Sequence, residues 1–324
     1  MILEDIGFYT LEDERAKTSN EKTPLWRCEL ILTDRCNFNC TYCRGIRKED
    51  QGDISLQDAI KIIDLWTGQG LRNVRFSGGE PTLWVNLPEL IKYSKTKGIK
   101  RIALSTNGSN DLDFYLHLID CGINDFSISL DSCCSTNGDK ISGNIQGSWE
   151  KVISNIKELS KKTYVTIGVV LTNDNMNEIN EIIKFSSSMN VSDIRIITAS
   201  QNNSLFEDLF IDDIILNKHP ILKYRYNNFK NGRRVRGITS GDYYRCPLVL
   251  DDMAVLNGQH YPCIIYLREQ GKPIGKVGEN MREERKNWFE NHRTVLDPIC
   301  KKNCLDVYID FNNRWKFFHS FQGE

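Results

Sequence analysis

Three cysteines stand within eight residues in the segment Cys36-Asn-Phe-Asn-Cys40-Thr-Tyr-Cys43. Thiolates at this spacing on one loop can converge on a single inorganic centre. Two centres compete for them. A structural zinc ion asks for four closed protein ligands, and only three are local. A 4Fe–4S cube has four iron corners, so three cysteines leave one iron open to an outside chelating ligand. A second set, Cys246, Cys263, Cys300 and Cys304, lies late in the chain. Four thiolates can close a site completely, around either a structural zinc or a second 4Fe–4S cluster. Of the remaining cysteines, Cys28 and Cys121 read as small buried core residues. Cys133 and Cys134 read either as functional thiols near a substrate or as loop thiols without a role.

The elements that must position these residues alternate. Short apolar runs at Trp26–Leu32, Asn73–Phe76, Lys100–Ser105, Asp125–Leu130, Tyr164–Leu171 and Asp193–Thr198 read as strands. Amphipathic stretches between them read as helices, among them Ser55–Gly70 with Ser55 as N-cap and Ile60, Ile63 and Leu65 inward. Six β-then-α units predict a parallel sheet with right-handed crossovers. Six are too few for a closed eight-stranded barrel, so the expectation is an open partial (β/α)6 barrel with its functional residues at the C-terminal strand ends. The cysteine triplet follows the first strand. The second ends in Ser77-Gly78-Gly79-Glu80-Pro81-Thr82, the third in Ser105-Thr-Asn107-Gly108, and the fourth in Ser127-Ile-Ser129-Leu-Asp131. In the last, alternation puts Ser127, Ser129 and Asp131 on one face. Asp131 reads equally as a residue aimed at a ligand and as a cap for the next segment.

Residues 201–240 are polar and read as irregular. They include Tyr224–Arg236, where aromatic and basic residues interleave. That pattern suits phosphate and base contacts, although a solvated surface loop is the plainer reading. Further on, Leu248–Leu256 and Tyr261–Tyr266 read as a hairpin turning at Asn257-Gly258. A short helix near Met281–Asn291 follows.

The C-x3-C-x2-C triplet with Tyr42 before its last cysteine resembles the signature of the radical S-adenosylmethionine superfamily, and residues 25–200 follow that pattern. The resemblance implies that the open iron of a cluster on Cys36, Cys40 and Cys43 binds S-adenosylmethionine, which reduction cleaves to a 5′-deoxyadenosyl radical. It further implies that Tyr42 lies against the adenine, that Gly78, Gly79, Glu80 and Pro81 serve the methionyl amino group, and that Ser105, Asn107 and Ser129 reach the cofactor. Asp131, Cys133 and Cys134 become candidate catalytic residues, the two thiols as hydrogen-atom donors of the kind that some radical epimerases use. The late cysteines resemble the twitch extension, a short form of the SPASM domain, which holds an auxiliary 4Fe–4S cluster.

The resulting expectation is an α/β chain with an N-terminal extension (1–25), a partial barrel (26–235) and a small hairpin-and-helix auxiliary-cluster domain (236–324). The implied enzyme is an oxidoreductase with two 4Fe–4S clusters and S-adenosylmethionine. Its substrate is a nucleotide-like small molecule or a ribosomal peptide, and its electron donor is external, a flavodoxin or ferredoxin. Only about 25 residues precede the first strand, which weighs against a peptide-recognition domain. A peptide epimerase and a zinc-stabilised binding protein are the alternatives. A net charge of −1 with 26% charged residues argues for no general nucleic-acid or membrane binding. With no signal peptide or long apolar run, the expected compartment is the cytoplasm, where thiols stay reduced.

Overall fold

A computed structural model describes residues 14–44, 52–199 and 209–320. Six strands form in the expected order: β1 (Arg27–Ile31), β2 (Asn73–Ser77), β3 (Arg101–Thr106), β4 (Asp125–Ser129), β5 (Tyr164–Leu171) and β6 (Asp193–Thr198). Each is parallel to the next. The sheet continues on the other side of β1, where β7 (Asp252–Leu256) pairs in parallel with it. Strands β8 (Gln259–Tyr261) and β9 (Gly275–Lys276) then follow antiparallel. The spatial order of this nine-stranded sheet is β6-β5-β4-β3-β2-β1-β7-β8-β9.

The helices form because their apolar residues recur at helical spacing. Helix Ser148–Leu159 buries Val152, Ile153, Ile156 and Leu159, a single stripe against the sheet. Helix Leu56–Gly68 starts where the Ser55 side chain accepts a hydrogen bond from the Asp58 amide. Its fully buried face is Ala59, Ile62, Ile63 and Trp66, one step round from the expected one, with Ile60 and Leu65 half-buried at its edges. One apolar core joins these helices to the strands. On the opposite strand faces polar side chains interlock. Arg75 donates to Ser105 Oγ at 3.1 Å, and Arg195 donates to Ser127 Oγ at 3.2 Å.

Three expectations are corrected. Residues 213–230 are not irregular but form two helices, Asp213–Lys218 and Pro220–Lys230. The first is capped by Asp212, which accepts from the Ile214 amide at 2.7 Å. Residues Pro247–Leu250 form a 3-10 turn ahead of β7. The return strand ends at Tyr261, and Ile264–Arg268 is a helix capped by the Cys263 sulfur. The turn between β7 and β8 is as expected, with positive φ at both Asn257 and Gly258. Among the described residues, no helix is long and apolar enough to cross a membrane.

Candidate active site

The first cysteine loop leaves β1 and lies across the C-terminal strand ends. A cavity of about 280 Å³ opens there. Cys36, Cys40 and Cys43 line it together with Tyr42, Gly78, Gly79, Ser105, Asn107, Ser129 and Asp131. The triplet and three successive strand ends therefore meet on one rim. Glu80 and Pro81 do not line the cavity.

The two glycines act through close packing. A Cβ on Gly78 would overlap the Thr33 carbonyl, and one on Gly79 would overlap the carbonyls of Asp34 and Arg35. The loops are also bonded: the Gly79 amide donates to Thr33 at 2.8 Å and the Glu80 amide to Arg35 at 2.7 Å. Glu80 is fully buried beneath the rim. Its carboxylate accepts from the Thr82 amide, the Thr82 and Thr106 hydroxyls, and the Asn107 amide. Glu80 thus fixes the ends of β2 and β3 relative to one another. Asn107, so held, donates to Asn37 Oδ1 at 2.8 Å and ties β3 to the cysteine loop.

Asp131 is buried at the end of β4 and joins two elements. It accepts from the Tyr42 hydroxyl and, at 2.6 Å, from the Val170 amide. Burial pushes its carboxyl up to about 6, against the pull of those two bonds. Cys133 and Cys134 are not brought to the cavity. Cys133 packs at the edge of the core, and Cys134 is exposed, next to Ser132.

The thiols of Cys36, Cys40 and Cys43 line one cavity, a donor set that a cationic centre could use. Burial raises the Cys40 thiol to about 12, and the nearby Asp131, Cys43 and Cys36 raise it further in the same direction. Converging thiols with no cation nearby stay protonated, so a positive metal centre is what would make them ligands. The late set repeats this. Burial holds Cys246 at about 11 and Cys263 at about 12, and drives Cys300 and Cys304 further up. Each of Cys263, Cys300 and Cys304 also senses the charge of its neighbours in the set. Sulfurs around one zinc ion lie about 3.8 Å apart, given Zn–S bonds of about 2.3 Å. Among the described residues, the trio of donor atoms gathered within 4.8 Å is His292, Asp297 and Cys300, not a trio of the late cysteines.

Three arginines on the cavity wall carried no signal as a group in the sequence. Arg44, Arg236 and Arg268 come from the cysteine loop, the segment after helix Pro220–Lys230 and the end of helix Ile264–Arg268. Arg268 donates to the Gly78 carbonyl at 2.8 Å and Arg236 to the Thr198 carbonyl at 3.0 Å. Arg44 pairs with Glu269. Burial, and then the charge of a neighbouring guanidinium, lowers both Arg44 and Arg236 to about 10. Trp149 is a fourth addition, held by its indole donating to the Ser132 carbonyl at 3.0 Å.

The basic and aromatic stretch at 224–236 is not a solvated loop. Arg225 is fully buried, 3.2 Å from Asp306, and Arg233 pairs with Asp310. The Tyr224 hydroxyl also donates to Asp310. Most of its polar groups hold helix Pro220–Lys230 against the C-terminal helix Asp306–Ser320, which removes the stacking surface that interleaving suggests.

The loop bearing Cys36, Cys40 and Cys43 thus lies beside the strand-end residues Gly78, Ser105 and Ser129 around one cavity. Residues 30–186 match the radical SAM superfamily, and that stretch is a radical SAM domain. The superfamily holds a 4Fe–4S cluster and S-adenosylmethionine, and Cys36, Cys40 and Cys43 with the cavity beside them fit both. Among curated relatives, a probable GTP 3′,8-cyclase of Sulfolobus acidocaldarius is 34% identical over 172 residues, 52% of this chain and 54% of that one. A GTP 3′,8-cyclase of Chlorobaculum tepidum is 36% identical over 111 residues, 32% of each chain. This chain spans about half the length of the first, and less of the second. Among solved structures, anSMEcpe with bound AdoMet superposes with a TM-score of 0.59 at 16% identity, over 92% of this chain and 98% of that one. SuiB of Streptococcus suis, bound to its precursor peptide SuiA, gives 0.58 at 16% identity over 86% and 66%. At these identities the two structures share the fold.

Proposed function

We propose that this protein is a radical S-adenosylmethionine enzyme acting on a small anionic substrate, a nucleotide triphosphate being the best-supported class. The observation that carries the substrate class is the arginine trio. Arg44, Arg236 and Arg268 line the same cavity as the cysteine triplet, and guanidinium forks match phosphate and carboxylate oxygens. Arg44 and Arg236 each sense a neighbouring guanidinium, and an anion beside them would relieve that repulsion. The names of the curated relatives, all GTP cyclases in the two cases above, support the same class.

When bound, the first cluster and S-adenosylmethionine would supply a 5′-deoxyadenosyl radical able to abstract a substrate hydrogen. The chain's own contribution is placement. Glu80 and the two glycines hold the cysteine loop to the strand ends. The arginines orient the substrate's charged group, and Trp149 with Ile141 and Val152 supplies an apolar wall. Asp131, poised near neutral pH beside Tyr42, can take a proton released in the cavity. Cys246, Cys263, Cys300 and Cys304 would hold a second cluster that exchanges an electron with the substrate radical.

Metal and sulfide analysis of anaerobically reconstituted protein tests the centres. Two four-iron clusters require roughly eight irons and matching sulfide per chain; zinc without sulfide would sink the reading. With reductant and S-adenosylmethionine, 5′-deoxyadenosine should form, and adding GTP should increase its yield. No increase with GTP would remove the nucleotide class.

A further inference from the structure

A second, larger cavity of about 880 Å³ shares one lining residue, Arg236, with the first. Its walls carry Arg233, Arg234, Arg236, Lys301 and Lys302 against one carboxylate, Asp242. That carboxylate is already engaged. It accepts from the Thr239 amide at 2.7 Å, the Thr239 hydroxyl at 2.8 Å and Asn313 Nδ2 at 2.9 Å. Arg233 is matched by Asp310. Arg234, Lys301 and Lys302 are exposed, and among the described residues none of the three makes an ion pair. Arg236 behind them is 2% exposed.

The shape is built rather than incidental. The Gly237 amide donates to the Cys304 carbonyl at 2.9 Å and the Ile238 amide to the Lys301 carbonyl at 3.0 Å. These bonds fasten the arginine-bearing segment to the turn that carries the last two cysteines, so the cations converge on one hollow instead of spreading over a convex surface. Cations confined to a concave, partly desolvated wall focus a field that a single carboxylate ligand would leave mostly uncompensated. A group with several negative charges in a row would compensate it.

We propose that the second cavity binds an oligophosphate group, and that Arg236 links it to the first cavity so that this group is the tail of the substrate whose reacting end lies by the cysteine triplet. The assignment to substrate rests on the nucleotide reading above; the anion site does not.

Calorimetric titration of the full chain with inorganic tripolyphosphate at low salt tests the site without turnover. Wild-type protein should bind, and affinity should fall as salt is raised. The double variant Arg234→Ala/Lys302→Ala, which removes only exposed side chains, should bind at least about tenfold more weakly. The variant Lys157→Ala/Lys184→Ala, with the same charge change on exposed helix positions, should match wild type. No binding by wild type, or equal binding by Arg234→Ala/Lys302→Ala, overturns the site. GTP should displace tripolyphosphate and lose affinity in the same variant, while guanosine should not. GTP binding that ignores the variant overturns the assignment to the substrate tail. 5′-Deoxyadenosine formation, measured in parallel, separates failure of the enzyme reading from failure of the anion site.

Discussion

Glu80 shows how one side chain can shape the rim of a cavity that it does not line. Both carboxylate oxygens are spoken for, Oε1 by the Thr82 amide and two hydroxyls, and Oε2 by the Asn107 amide at 2.7 Å. Burial raises its pKa, and those four donors oppose the rise. In Glu80→Gln one of the two backbone amides must face an NH2 group, whichever way the side-chain amide is turned. An unsatisfied buried donor costs about 1–3 kcal/mol. The variant should therefore melt several degrees lower and retain less iron on the first loop, measured by calorimetry and by iron analysis after desalting. Unchanged melting would show that the network relaxes freely. His219 gives a residue-scale prediction of another kind. It is buried, with Nε2 2.9 Å from Ser187 Oγ, and burial lowers its pKa to about 4. The unfolded imidazole, at about 6.5, takes its proton first as pH falls. Stability is thus lost between about pH 6.5 and 4. The urea midpoint of metal-free wild type should drop over that window, and His219→Gln should drop less steeply. Parallel curves for the two proteins would rule out His219 as the source. Local spacing made the cysteine triplet legible in the sequence. The arginine trio was not, because Arg44, Arg236 and Arg268 meet only through the tertiary fold.

At the scale of elements, the loop after β1 and the loop after β2 behave as one piece. Gly78 and Gly79 have no side chains because the Thr33, Asp34 and Arg35 carbonyls occupy the space. Gly79→Ala must part the two loops, since a backbone carbonyl cannot swing aside as a long side chain can. The strands themselves are unaffected, being held by their own ladders. The expected outcome is a normal circular dichroism spectrum with the first cluster's content and 5′-deoxyadenosine formation reduced at least about tenfold. Electron paramagnetic resonance after reconstitution would read the cluster directly, and a wild-type signal would show that the contact is dispensable. The same scale explains what the sequence concealed. The six strands were legible because short segments with apolar residues at every second position recur between amphipathic helical stretches. Helix Pro220–Lys230 was not, because it buries Arg225 against Asp306 as well as Ile221 and Leu222. A helix that buries a paired guanidinium on its inner face shows no clean apolar stripe.

For the whole molecule the informative contact is β1 with β7. The sequence predicts a division near residue 235, between barrel and cysteine-bearing hairpin, and the backbone ladder runs across that point: β1 is flanked by β2 and β7, both parallel. Arg285, fully buried, ties the segment before β7 to the end of β8. It donates to the carbonyls of Val249 at 2.8 Å and Tyr261 at 3.0 Å. Arg27 of β1 reaches Asp252 of β7 at 2.5 Å and the Tyr308 hydroxyl at 2.8 Å. Opening the hairpin therefore exposes one whole side of the barrel's first strand and strands buried charges on both sides. Loss of the late metal centre should propagate accordingly. In Cys263→Ser/Cys300→Ser, amide hydrogen exchange should quicken in β7 and in β1 together, because β7 is one of the two ladder partners of β1. Protection of β4 and β5, three and four strands from β1, should fall less. If exchange instead rises only beyond residue 240 while β1 keeps its wild-type protection, the hairpin is an appendage whose centre can come and go without the barrel's first strand sensing it. In that case the cysteine triplet, which hangs directly from β1, would be insulated from the late site. The coupled outcome makes the late site a determinant of how firmly the first cysteine loop is held.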